Sequence, residues 1–583
     1  MRTLFPILLT LPLLFSCSFR DQESTLFQKL TAHKETTDEI SDYVVRGNSY
    51  MVASESWRAS QIGAEVIEAG GNAVDAAIAV SFALSVIRPH ATGIGGGGFA
   101  LLKEPSKEAK FIDFRERAPQ AGNLQDYFDG TNFDANRSRF GGLAVGTPGL
   151  PAGLEYLYNH YGSGKIPWKS LVTPAVEIAE NGIATYPHLN GAIEWFAKNT
   201  PVGQQESFAT ASLLNIFKSP PPFRNVDLAK ALRDISNSGS HSFYHGEIAL
   251  DIVSTAQKNG GKITLHDLES YQVIERSVVQ GHYGPYEIIG APPPSSGGPV
   301  TIQVLNMLEP FLRPGGPLCS QNSVNDDEVI ALKVKALRRA FEDRAVAYGD
   351  PAFWENDISK YLSKEYAKSR MTMSGENFPP QTTSISAPQQ NTSHFSIVDS
   401  EGMVVSSTQS INYFFGAGIM SGRFGIILNN TIDDFSFTES AENIFGLVGG
   451  KANLFAPAKT PLSSMSPTIV MKDGDVFAVL GSPGGSKIIS AVIQVILNST
   501  CHQLSPSEAV FSPRVHHQGT PNILLLDSGG FSKGTISSLQ RAGYSIEETD
   551  YGIGAVSAVF RDLSSGELTG VSDPRREAGP FGR

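Results

Sequence analysis

One stretch narrows the possible folds more than any other. Residues Asn391 to Asp399 (Asn-Thr-Ser-His-Phe-Ser-Ile-Val-Asp) alternate apolar and polar side chains, as a half-buried strand does. Ser400-Glu401-Gly402 interrupts the pattern, and a second, β-branched run follows from Val404 to Asn412. Two such runs around a short glycine-ended loop make a hairpin. With a three-residue loop and Gly402 left-handed, Asp399 faces Met403 and Thr392 falls opposite Ser410. Period-two geometry then puts Asn412 on the face of Ser410.

The hairpin follows a polar linker, Met371 to Gln390, with no long apolar run. A hydroxyl at a strand's start, beside such a linker, suits a nucleophile whose chain is cut just before it. Threonine is weak in that role until a base stands beside it, and one such base is the residue's own α-amine. Thr392 owns a free amine only once the Asn391–Thr392 bond is broken, and its hydroxyl is suited to attack that carbonyl itself, giving an ester that water opens. The same residues also read as an ordinary hairpin, and Asn391-Thr392-Ser393 as a glycosylation pattern. This stretch alone does not decide between them.

Other segments carry chemistry of their own. Phe111 to Glu116 reads as a short strand ending in Arg115, whose planar fork is the natural clamp for a carboxylate. A surface ion pair with Glu116 is the plainer reading. Gly484-Gly485 lies between a strand (Val476 to Leu480) and a helix (Lys487 to Leu497). Backbone N–H groups at such a turn point at anions. Gly425 to Leu428 reads as a strand running into Asn429-Asn430-Thr431-Ile432-Asp433-Asp434. The wording of the chain at several places, taken together, resembles the γ-glutamyltransferase (γ-glutamyltranspeptidase) family. The matching words are Asn391 to Asp399, Asn429 to Ser436, Pro461-Leu462-Ser463-Ser464-Met465-Ser466-Pro467 and Gly481-Ser482-Pro483-Gly484-Gly485-Ser486. Upstream, the resemblance takes in Gly70 to Ala77, Gly95 to Phe99, Asp113-Phe114-Arg115-Glu116 and Pro292 to Gly298.

That resemblance implies an α+β fold, the four-layer αββα sandwich of N-terminal-nucleophile hydrolases. It is formed jointly by a large subunit (48–391) and a small subunit (392–583) that are cut from one precursor and stay associated. It implies cleavage of the γ-glutamyl amide of glutathione and related compounds through a γ-glutamyl-Thr392 intermediate, with transfer to water or to an amino acid or peptide, and no cofactor or metal. It gives the substrate α-carboxylate to Arg115, Ser463 and Ser464 and the ammonium to Asp434. Gly484 and Gly485 form the oxyanion hole, Ser410 and Asn412 position the reacting groups, and Phe445 shields the pocket from a lid loop (437–460). Thr431 departs from the pattern, since family members usually carry Glu or Gln there, and donor identity stays open. Two other readings remain: a same-fold amidohydrolase for a glutaryl-type donor, and a surface lipoprotein without catalysis.

The bulk of the chain fits these expectations. Acidic residues outnumber basic ones, 58 to 46, which disfavours nucleic-acid partners. Cys319 and Cys501 read as two separate buried thiols more readily than as a pair, and no Cys/His cluster has metal-ligand spacing. Residues 1–16 form a short apolar signal ahead of Cys17, a lipoprotein-type pattern that implies export to the periplasm or an outer-membrane anchor. Residues 17–47 read as a polar tether. Asn72 caps an all-apolar helix, Ala73 to Ile87, too short to span a bilayer. The glycine run Gly93 to Gly98 follows a helix and precedes a strand, the reverse of a dinucleotide site, and reads as a close backbone crossing. Residues 150–370 read as helical scaffold, in which Arg338, Arg339, Glu342, Asp343 and Arg344 form a solvated or ion-paired face. Ser572-Asp573-Pro574-Arg575-Arg576 reads as structural.

Overall fold

The hairpin forms in the expected register. In the computed structural model, which describes residues 43–373, 391–439 and 441–583, Ser393–Val398 pairs antiparallel with Val404–Ser410, Ser393 opposite Gln409 and Val398 opposite Val404. Asp399 N–H donates to the Met403 carbonyl at 3.0 Å and Gly402 has φ +84°, the left-handed conformation that glycine adopts without strain. The leader, Cys17 and residues 374–390 lie outside the described residues.

These strands are central in a seven-stranded sheet, ordered Gly579–Gly582, Met51–Ser54, Ser393–Val398, Val404–Ser410, Gly97–Lys103, Lys110–Phe114 and Ile274–Arg276. A second seven-stranded sheet runs Val44–Gly47, Leu568–Ser572, Ser557–Arg561, Asp475–Gly481, Thr468–Lys472, Tyr286–Gly290 and Val279–Tyr283. Alternation along Ser393–Val398 sends Phe395 and Ile397 into one core with helices Trp57–Glu68 and Ala73–Ile87. Val398 and Val404 enter another core that reaches helices Gly297–Leu308, Asp327–Ala347 and Lys487–Thr500. The result is the expected order of layers, helices on sheet on sheet on helices. Both sheets take strands from before and after Asn391.

The gap between the sheets is partly polar. His394 bonds Thr408 Oγ1 (2.8 Å) and Ser396 Oγ (3.0 Å), Ser396 donates to the Ser557 carbonyl (3.0 Å), and Ser406 donates to the Leu480 carbonyl (3.1 Å). Burial drives the His394 pKa down to about 3, so the ring is neutral and serves as a hydrogen-bonding strut. A Cβ on Gly481 would meet that ring at 2.3 Å, which explains the glycine there.

Local signals hold closely. Helix Ala73–Ile87 has the Asn72 cap, closed by Asp75 as a capping box, and is buried almost all round. Asp399 accepts from Ala73 N–H (2.8 Å), tying that helix to the hairpin loop. The glycine run is a tight crossing, where a Cβ on Gly95 or Gly96 would strike the Ile427 or Ser410 carbonyl at 2.2 Å.

Other expectations fail. Gly425 to Leu428 is not a strand; only Ile427 bridges, to Met420, because the segment's hydrogen bonds turn back locally through Ser421. Residues 150–370 are mostly helical, as expected, but they also contribute the unforeseen strands Ile274–Arg276, Val279–Tyr283 and Tyr286–Gly290 to the sheets. Val44–Gly47, within the stretch expected as tether, is an edge strand. The charged row on Asp327–Ala347 is ion-paired, as one of the two readings has it, but not solvated. Arg338 and Arg339 pair with Glu342 and Asp343 with Arg370, while Arg338, Arg339, Asp343 and Arg344 are buried because this helix is covered on several sides. Cys319 and Cys501 are joined in a disulfide, Cα atoms 4.9 Å apart, rather than buried separately.

The cystine links residues on opposite sides of the Asn391–Thr392 bond. Protein cut at that bond should therefore run as one band on denaturing electrophoresis without reductant and as two with it. The Cys319→Ser variant should give two bands under both conditions.

Candidate active site

Thr392 Oγ1 lies 3.1 Å from Ser410 Oγ, the pair that the hairpin register sets opposite. Ser410 Oγ accepts the Asn412 backbone N–H at 2.8 Å. Asn412 reaches the same cavity by a different route from the expected one. The strand ends at Ser410, and Asn412 sits in a turn at φ +75°. Its side-chain amide donates to the Asn430 carbonyl at 3.0 Å, and Asn430 Oδ1 accepts Tyr413 N–H at 2.9 Å. The turn is thereby locked to the Asn429–Asn430 segment.

The peptide before Thr392 is held under strain. Thr392 has φ +95°, an outlying conformation for a β-branched residue that costs on the order of 1–3 kcal/mol. Asn391 is fully buried and neither polar atom of its side chain has a hydrogen-bond partner. Its carbonyl oxygen accepts the Gly484 N–H at 3.1 Å. Gly484 and Gly485 have φ of +136° and +58°, and they stand at the turn between strand Asp475–Gly481 and helix Lys487–Thr500.

Around Thr392, Ser410 and Asn412, a small, partly open cavity is lined by Arg115, Arg344, Asp434, Ser463, Ser464, Phe445 and Gly485, among others. Arg115 donates to Asp434 Oδ2 at 2.5 Å and to the Pro461 carbonyl at 3.4 Å. Burial pushes the Asp434 pKa up to about 6 against the opposing pull of Arg115. Ser463 Oγ accepts the Met465 N–H (3.0 Å), and Ser464 Oγ accepts from Arg344 (3.2 Å). Both hydroxyls thus keep their own hydrogens to donate, and the arrangement suits an anion. The cavity thus offers donors for a carboxylate at Arg115, Ser463 and Ser464 and, directly beside Arg115, an acceptor for a cation at Asp434.

Thr431 does not join them. Its hydroxyl donates to Glu116 Oε1 at 2.8 Å behind the cavity wall, and the residue does not line the cavity. Burial raises the Glu116 pKa, opposed by Arg115. The plainer reading of Arg115 as a surface ion pair with Glu116 fails: both residues are buried, and the contact with Glu116 is 3.7 Å against 2.5 Å to Asp434.

Phe445 lies over the cavity with its ring against Gly485, where a Cβ would meet it at 2.5 Å. Its carbonyl accepts from Gln518 (3.1 Å), and Gln518 accepts the Ser486 hydroxyl (2.6 Å) beside the glycine turn. Asn443 closes the other side of this loop: its Oδ1 accepts the N–H groups of Phe445 and Leu447, both at 3.0 Å, and its amide donates to Asp434 Oδ1 at 3.1 Å. The sequence reading places Arg344 on a charged scaffold face rather than in the site, and it does not name Asn443. A stripe on the helix pointed to Arg344, while nothing local marked Asn443.

Residues 59–582 match the family described as Gamma-glutamyltranspeptidase. The chain belongs to the γ-glutamyltranspeptidase family. It is 38% identical over 544 residues to the glutathione hydrolase proenzyme of Escherichia coli K12, covering 91% of each chain. It is 36% identical over 551 residues to that of Pseudomonas sp. strain A14, covering 91% of this chain and 93% of the relative. Among solved structures, cephalosporin acylase from Bacillus halodurans superposes with a TM-score of 0.80 at 25% identity, covering 94% of this chain and 97% of that one. The chain therefore has the α+β sandwich that the family resemblance implies.

The Phe445–Gly485 contact can be broken from the glycine side. Gly485→Ala puts a methyl into the Phe445 ring and should displace it, visible in a crystal structure of the variant. Its kcat/KM should fall by about 10²-fold, the usual scale for disturbing an oxyanion donor.

Proposed function

We propose that this chain is a self-cleaving γ-glutamyltransferase and glutathione hydrolase, cut between Asn391 and Thr392 into a large subunit (48–391) and a small one (392–583). One observation carries the reading: the Thr392 hydroxyl opens into the same cavity as a carboxylate receptor and a cation receptor, and the Asn391 carbonyl already rests on the Gly484 N–H. In the first reaction Thr392 Oγ attacks the Asn391 carbonyl carbon, and Gly484 N–H stabilises the oxyanion. The C–N bond breaks, nitrogen takes the proton, and Asn391 is left as an ester on Thr392. That break frees the Thr392 α-amine, and water then hydrolyses the ester, releasing the Asn391 carboxylate and the Thr392 hydroxyl. Cleavage abolishes the strained φ at Thr392 and vacates the Gly484 N–H.

In turnover the α-amine takes the proton of the Thr392 hydroxyl as it attacks the donor's γ-carbonyl. Gly484 and Gly485 hold the oxyanion, and Ser410 and Asn412 keep hydroxyl and amine in line. The leaving amine departs with the proton, and the γ-glutamyl ester passes to water or to an amino group. Arg115, Ser463 and Ser464 hold the donor carboxylate, Asp434 its ammonium, and Phe445 limits bulk water. No metal or cofactor enters this scheme. A glutaryl-type donor has no ammonium to meet Asp434, so the γ-glutamyl reading is preferred to the glutaryl alternative, and the intact Thr392 cavity disfavours an inactive lipoprotein. Export to the periplasm, with a lipid anchor at Cys17, is part of the proposal and is supported by the apolar run Leu4 to Phe15 before Ser16-Cys17.

Thr392→Ala should stay uncut on reducing electrophoresis and release no product from γ-glutamyl anilide; a cut or active variant overturns the scheme. The pH profile gives a second check. Asp434 must be ionised to hold the ammonium, and its pKa is about 6, so beyond the loss that follows protonation of the α-amine base, donor kcat/KM should show a further acid limb below pH 6 of up to tenfold per unit. Asp434→Asn should lose 10- to 100-fold at neutral pH, about 1.5–3 kcal/mol for a charge-assisted bond, and should lack that acid limb.

A further inference from the structure

Arg344 is a buried cation that the reaction scheme leaves unused. It is 4% exposed and lines the Thr392 cavity. Its guanidinium is satisfied by two hydroxyls rather than a carboxylate: Nε donates to Ser296 Oγ at 2.9 Å and one terminal nitrogen donates to Ser464 Oγ at 3.2 Å. An arginine taken out of water without an anionic partner costs several kcal/mol, and such a cost persists where an anion is to arrive. Burial lowers its pKa to about 10, with Asp434 opposing, so it stays charged at neutral pH.

The two hydrogen bonds also fix the polarity of their acceptors. Ser464 Oγ receives from Arg344, so its own O–H must donate elsewhere, and Ser464 faces the cavity. Ser296 Oγ receives from Arg344 and donates to the Ser463 carbonyl at 2.8 Å, where the Ser296 N–H also arrives at 2.9 Å. One side chain thereby anchors the backbone of Ser463 and sets the hydroxyl of Ser464. Arg115 has an anion beside it in Asp434; among the described residues no carboxylate forms an ion pair with Arg344, which feels Asp434 only from further off.

We propose that Arg344 is a positioning residue for the donor's α-carboxylate, holding the Ser463-Ser464 pair as hydrogen-bond donors and supplying a second positive charge behind them. This rests on the assignment of those serines to the carboxylate, and it adds a specificity determinant on the large-subunit side of the cut. Lysine, a point charge with no planar fork, cannot serve Ser296 and Ser464 together.

The test compares two anilides on the mature, cleaved enzyme: γ-glutamyl, and 4-aminobutyryl, which is the same acyl group without the α-carboxylate. Arg344→Gln should raise the KM for the γ-glutamyl donor about tenfold while kcat falls less than threefold. The kcat/KM for the 4-aminobutyryl donor should change less than twofold. Arg344→Lys should recover part of the KM, and it carries the test if the glutamine variant does not accumulate as cleaved protein. In a Ser464→Ala background, Arg344→Gln should add less than threefold to KM. Equal losses on both donors, a fall in kcat alone, or full additivity with Ser464→Ala would overturn the role of Arg344. A wild-type enzyme indifferent to the α-carboxylate would instead overturn the carboxylate assignment on which it stands.

Discussion

The pairing of Ser393–Val398 with Val404–Ser410 controls everything built around the cavity. A slip of one residue would turn each side chain to the opposite face, taking Thr392 away from Ser410 and His394 out of the gap between the sheets. Three devices prevent it. Gly402 turns the loop with its positive φ. Asp399 accepts from the N–H groups of Glu401, Met403 and Ala73, which clamps that loop to a helix. His394 then fills the space above Gly481, so the second sheet also holds the strand in place.

Electrostatics in the cavity follow from burial. Arg115, Asp434 and Arg344 all lie where water is scarce, and each would be costly alone. Without a donor, Arg115 and Asp434 satisfy one another. On the proposed donor assignment, a zwitterion offers each a new partner of the right sign, so binding would exchange one set of ion contacts for another and leave little charge unpaired. The loop carrying Phe445 would be coupled to this exchange, because Asn443 donates to the same Asp434 carboxylate.

Much of this was readable in the residues, and the failures have physical causes. Hairpin register, the Asn72 cap and the glycine crossing are set by neighbours in sequence, and they came out as expected. Arg344 was misjudged by its charge. Ile330, Val334, Leu337 and Phe341 are spaced four, three and four apart, and Arg344 is the next step in that stripe, which is the core-facing line of a helix. Spacing outranks charge there. The Cys319–Cys501 bond joins positions 182 residues apart, a proximity no local pattern records. Ile427 looked like a strand residue because it is β-branched and buried, but its segment is held by loop contacts. Thr431 could be flagged as unusual, yet its turn toward Glu116 depends on a residue brought near only by the fold.

The strained bond at Thr392 has one more effect. In the proposed scheme, before the chain is severed, the Gly484 N–H is engaged by Asn391 and the only α-nitrogen on Thr392 is an amide, so the precursor would have neither that anion donor nor a proton acceptor to spend on a foreign molecule. Maturation thus works as a one-way latch: the step that relaxes the backbone also uncovers both tools, and rejoining the ends would mean restoring the unfavourable torsion and reburying an asparagine with nothing to bond.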